Sequence, residues 1–93
     1  TITKFNSIKK AINLANDTEY GLASVIFSKK LSLAKKIASE IKCGRIWINN
    51  SVKNNYANIP IGGFKQSGLN RECGLEGIKT YSEIKSIIIN EKN

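Results

Sequence analysis

Cys43 and Cys73 are the only thiols in a chain of 93 residues that contains no histidine. A cysteine nucleophile needs a neighbouring base or a lowered pKa, and a zinc site needs closely spaced ligands such as C-x-x-C. The two cysteines stand far apart, and no imidazole completes a Cys–His pair or a metal set. Both therefore read as small hydrophobes, and no metal site or disulfide is expected. The remaining candidate is residues 59–72, I-P-I-G-G-F-K-Q-S-G-L-N-R-E, with the only proline and three close-set glycines. Pro60 fixes its own φ and biases Ile59 towards an extended conformation. Gly62, Gly63 and Gly68 permit turns and close backbone approach. This is a shaped loop, and such loops on rigid scaffolds carry binding work.

The elements that must position it follow from periodicity. Residues 1–5 resemble the tail of a strand. Asn6 or Ser7 can cap a helix in which Ile8, Ala11, Ile12 and Ala15 share one face. The polar run 16–18 ends that helix, and Gly21 adds a break. Residues 22–27, apolar and β-branched at Val25 and Ile26, predict a buried strand. Ser28 is a candidate cap for a helix carrying Leu31, Ala34, Ile37, Ala38 and Ile41 as a stripe. Gly44 stands where a C-cap glycine belongs, with Lys42 near the negative end of the helix dipole. Residues 45–49, R-I-W-I-N, predict a second strand. Strand, helix and strand in close succession make a βαβ unit with parallel strands and a right-handed crossover, so the fold class is α/β. Ligands in such sheets gather beyond the carboxyl ends of the strands, where the second strand leads to the glycine loop. Two helical turns over residues 75–81, weakened by Gly77, precede a last strand over 84–90. Ile87, Ile88 and Ile89 on an open edge require a partner strand.

Composition excludes little else. Hydrophobic content of 41% with 24% charged residues fits a globular piece of one domain. No apolar run reaches the length of a membrane span, so neither membrane residence nor a signal peptide is expected and cytoplasmic residence is the default. The net charge of +8 comes mainly from lysines spread from Lys4 to Lys92, and arginine occurs only at Arg45 and Arg71. Arginine is the usual reader of base edges, so the charge reads as solvated surface and nucleic acid is not an expected partner.

Several motifs resemble, in order, the C-terminal part of aldehyde dehydrogenases. They are A-N-D-T-E-Y-G-L (15–22), R-I-W-I-N-N (45–50), P-I-G-G-F-K-Q-S-G (60–68), R-E-C-G (71–74) and Y-S-E-I-K-S (81–86). The loop is particularly similar to the betaine-aldehyde dehydrogenase branch. The resemblance implies an oxidoreductase that converts an aldehyde to a carboxylate with NAD or NADP. In that family a cysteine thiolate attacks the aldehyde, hydride passes to the nicotinamide, and a glutamate-activated water releases the acid. The nucleophile, the base, the oxyanion asparagine and the cofactor domain lie upstream of this region. The 93 residues alone are therefore expected to bind no cofactor and to be inactive. Residues 1–80 would be the C-terminal part of the catalytic domain, and 81–93 an oligomerisation strand and tail.

Residue by residue, the resemblance implies less. Ile61 matches an often aromatic position on the wall of the aldehyde tunnel, with packing under the loop as the plainer reading. It is aliphatic, and a cation–π box for a quaternary ammonium needs an aromatic face. Residues 51–58 match the variable substrate-entrance loop. Glu72 resembles a glutamate proposed as a secondary base, with an ion pair to a neighbouring cation as the alternative. Asn70 replaces a common glycine and could keep a left-handed backbone. Glu83 resembles a glutamate that steadies the subunit interface. Ile84, Ile87, Ile88 and Ile89 belong to a strand that pairs with a neighbouring subunit. Expected partners are thus the rest of the dehydrogenase chain and other subunits of a homo-oligomer. A rival reading is an autonomous truncated protein, non-catalytic, acting as a dimerisation or interaction module.

Overall fold

A computed structural model describes residues 1–50 and 56–91. Helix α1 (Ile8–Asn16) opens on Ser7, whose hydroxyl accepts from the Lys10 N–H at 3.2 Å. That cap meets one of the orphan donors of the first turn. Only Ile12 of its apolar face is buried. A short strand β1 (Tyr20–Gly21) follows, then β2 (Ala23–Ile26), helix α2 (Leu31–Glu40) and β3 (Arg45–Ile48). β2 and β3 run parallel, Ala23 opposite Arg45 and Ile26 opposite Ile48. α2 lies between them in sequence and packs on β3, while α1 packs on α2. Ala34 of α2 has no exposed surface.

The β2–β3 pair is two-stranded, and β1 makes a separate antiparallel ladder with β4 (Phe64–Lys65), inside the glycine loop. A last helix, α3 (Gly74–Thr80), leads into residues 82–91, all exposed and outside any helix or ladder. Ile12, Ala34 and Trp47 are the only buried hydrophobic side chains among the described residues. Parallel strands are normally covered on both faces, yet Leu22, Val25 and Phe27 remain exposed. The radius of gyration is 18.8 Å, against about 12 Å for a compact chain of this length.

Three expectations need correction. Gly44 is not the C-cap of α2: the helix stops at Glu40, and Ile41, in an extended conformation, occupies the cap. Asn16 performs the capping instead, donating to the Glu40 carbonyl at 2.9 Å and accepting from the Lys42 N–H at 2.8 Å. Ser28 does not cap α2; it accepts from the Lys30 N–H at 3.1 Å and turns the chain before the helix. Asn70 is absent from the residues with positive φ, whereas Asn49 is present at 52°. Residues 84–90, expected to pair with a neighbouring subunit, lie outside any ladder among the described residues of this single chain. The expected entrance loop falls largely on residues 51–55, outside the described residues.

Candidate functional site

The glycine loop leaves β3 through Asn49, whose side chain accepts from the Ser28 N–H at 2.8 Å and donates to the Ser28 carbonyl at 2.9 Å. The reciprocal pair ties the carboxyl ends of β2 and β3 together just before the loop. The loop itself is closed at its neck. The Ile61 N–H donates to the Glu72 carbonyl at 2.8 Å, and the Glu72 N–H to the Ile61 carbonyl at 2.7 Å.

Inside that neck the packing is too close for side chains. A Cβ on Gly44 would lie 1.5 Å from the Gly62 carbonyl oxygen, and one on Gly62 would lie 2.2 Å from the Asn70 carbonyl oxygen. These two glycines are therefore required by close backbone approach. Gly44 serves the loop, not the helix.

Two arginines hold the loop from either side. Arg45, buried on β3, donates through Nη2 to the carbonyls of Ile59 and, at 3.0 Å, Pro60. Its guanidinium also stacks over Trp47, 5.6 Å from the ring centroid. Arg71 donates to the Gly63 carbonyl at 3.2 Å and the Asn70 carbonyl at 2.9 Å, and stacks 5.5 Å from the Phe64 ring centroid. A planar guanidinium with several fixed donors suits both tasks. Sequence reasoning missed them because the arginines were weighed only as charge. Their position on either flank of the glycine run was the available signal.

The far side of the loop is fastened to the α1–β1 turn. The Gly21 N–H donates to Ser67 Oγ at 2.9 Å and the Gln66 N–H to the Glu19 carbonyl at 3.0 Å. Lys65 Nζ donates to the carbonyls of Asn16 and Thr18, both at 2.8 Å. A cation is favourable there because the helix dipole puts partial negative charge at a C-terminus.

Ile61 is half-buried and Glu72 exposed; both line an open concavity of about 1260 Å³ with Leu22, Leu69, Ile78 and Tyr81. Glu72 makes no ion pair among the described residues, where the single ion pair joins Lys79 to Glu76 at 2.8 Å. Glu83, Ile84, Ile87, Ile88 and Ile89 lie exposed in the tail, outside any ladder among the described residues.

The two cysteines stand in different surroundings. Cys43 Sγ donates to the Arg45 carbonyl at 3.3 Å, and burial pushes its thiol above the ordinary range. A raised pKa suppresses the reactive thiolate. Cys73 is exposed and holds φ 61°, ψ 165°, immediately before α3. No group of three or more His, Cys, Asp or Glu residues gathers among the described residues to hold a metal. The strand-to-helix turn from Phe27 to Lys30 carries no glycine. No helix among the described residues is long and apolar enough to cross a membrane.

Residues 1–87 match the family model described as "Aldehyde dehydrogenase family". Aldehyde dehydrogenase [NAD(P)+] 1 of Saccharomyces cerevisiae is 45% identical over 96% of this chain and 17% of its own length. Betaine aldehyde dehydrogenase of Bacillus subtilis is 40% identical over 99% of this chain and 19% of its own length. Human retinaldehyde dehydrogenase 3 is 44% identical over 95% of this chain and 17% of its own length. The solved structure of an aldehyde dehydrogenase from Bacillus cereus in complex with NAD+ superposes with a TM-score of 0.90 and 36% identity, covering 95% of this chain and 18% of that one. The chain therefore spans less than a fifth of the curated relatives it matches.

Proposed function

The chain belongs to the aldehyde dehydrogenase family, and from that premise we propose that it is the C-terminal part of an NAD(P)-dependent enzyme oxidising an aldehyde to a carboxylate. In this reading residues 1–80 complete the catalytic domain, and residues 81–93 supply a strand to a neighbouring subunit. The βαβ unit of β2, α2 and β3 is the scaffold, and the loop between Ile61 and Glu72 is what it presents. Ile61 forms part of the aldehyde tunnel wall. Glu72 places at the rim an exposed carboxylate that makes no ion pair among the described residues, available for a secondary proton role. Glu83, Ile84, Ile87, Ile88 and Ile89 make the subunit contact, consistent with their exposure in the single chain.

Hydride acceptance is the chemistry that NAD or NADP, held elsewhere in the longer protein, would supply. This chain's residues hold the loop, shape the tunnel wall and shed water from it. The observation that carries the reading is the docking of two distant motifs. Residues 16–21 and 65–67 are joined through Lys65, Gln66 and Ser67, so the resembling segments form one fastened unit behind Ile61.

An assay for aldehyde-dependent reduction of NAD or NADP tests the proposal. The longer native polypeptide is expected to turn over and the 93-residue piece to be silent. Turnover by the short piece alone would sink the division of labour, and silence of the long one would sink the enzymatic reading.

A further inference from the structure

Arg45 and Trp47 stand two residues apart on β3 and so share one face; they are 8% and 9% exposed. A buried guanidinium is costly unless its donors are met. Here Nη2 donates to the carbonyls of Ile59 and Pro60, and Cζ lies 5.6 Å from the Trp47 ring centroid. Those two carbonyls are the last groups of the main chain before Ile61. On the other side Ile61 is held by its own pair of bonds to Glu72. Ile61 is thus fixed between two clamps, and Arg45 is the one built from a side chain.

Resting on the aldehyde dehydrogenase reading above, we infer that Arg45 is a positioning residue for aldehyde selectivity, acting through Ile61. Nη2 sets how far residues 59–60 advance from β3, and that advance sets how deeply Ile61 enters the tunnel. Substrates whose chain reaches Ile61 should sense it, while the shortest aldehydes should not. Lysine cannot substitute, because a single ammonium on a flexible stem cannot both bridge two carbonyls and stack on a ring.

The test uses the full-length polypeptide that carries this sequence, with Arg45→Lys, Arg45→Met, Ile61→Ala and the double variant Arg45→Lys/Ile61→Ala. Amide exchange in peptides spanning 59–72 is expected to quicken about tenfold in both Arg45 variants, with α2 peptides unchanged. The preference for long over short straight-chain aldehydes is expected to fall about fivefold, through KM more than kcat. Adding Arg45→Lys to Ile61→Ala is expected to change that preference no further. Unaltered exchange in 59–72 overturns the inference whatever the kinetics show. Quickened exchange with an unchanged preference, or with additive effects in the double variant, also overturns it. Absence of any aldehyde-dependent reduction in the unaltered polypeptide would overturn the enzymatic reading instead, and the exchange result would still decide the clamp.

Discussion

The main chains of Ile61 and Glu72 bond to each other twice, at 2.8 and 2.7 Å. A residue expected on a tunnel wall and one expected near a proton path are therefore one mechanical unit. The bridge uses only backbone groups, so the Glu72 carboxylate is left to its own chemistry.

The first prediction separates these roles. Glu72→Gln is expected to change stability by no more than about 0.5 kcal/mol, as for an exposed side chain without a partner. Glu72→Pro removes a bonded N–H and is expected to cost about 1–3 kcal/mol. Chemical denaturation of both variants measures the difference. Equal effects would mean that the side chain, not the bridge, holds the neck.

Gly44→Ala is expected to destabilise by about 3 kcal/mol or more, since overpacking against a backbone atom forces the loop to shift. Its Cβ would overlap the Gly62 carbonyl oxygen. A helix-cap role would instead cost about 1 kcal/mol and leave the loop in place. Thermal unfolding, paired with proteolysis of residues 59–72, distinguishes the two.

Much of the scaffold was legible because its causes are local. Ser7, the Ile8–Ala15 spacing and the β-branched runs name α1, β2 and β3 within a few residues each. What was not legible has a tertiary cause. Gly44 exists for Gly62, eighteen positions on, and no window around α2 contains that fact. Arg45 and Arg71 looked like two scattered charges until the loop they hold was folded between them. The left-handed backbone falls at Asn49, whose side chain is bonded twice to the Ser28 main chain across the sheet, and not at Asn70. The isoleucines at 84 and 87–89 spell a strand by composition, but a ladder needs a partner, and none of the described residues supplies one. Of the candidate site, the loop was visible and its fastening was not.

Cys73→Gly is expected to stabilise the chain by about 1–2 kcal/mol. A non-glycine residue at φ 61°, ψ 165° occupies a region that is essentially glycine's alone. A higher urea midpoint at unchanged slope would match the expectation. A lower midpoint would show that the Cys73 side chain makes contacts worth more than the strain.

Cys43 gives a pH dependence with a definite sign. Burial raises its folded pKa, so the folded state holds the proton longer than the unfolded state. Its contribution to stability is whole below the unfolded value, about 8.5, and is lost as pH rises through the folded value. Stability should therefore fall on the alkaline side, and Cys43→Ala should flatten that fall. Alkylation of the folded chain at neutral pH should also mark the exposed Cys73 well before Cys43. A thiol at Cys43 that labels first would contradict its placement.

The central claim is that these residues are one part of a larger dehydrogenase. The mass of the native polypeptide carrying this sequence in its source cells tests it most directly. The account predicts a chain roughly five to six times this length, because the matches span 17% to 19% of the relatives. A native polypeptide of about 93 residues would contradict it and would make the partner of the isoleucine tail the question to pursue.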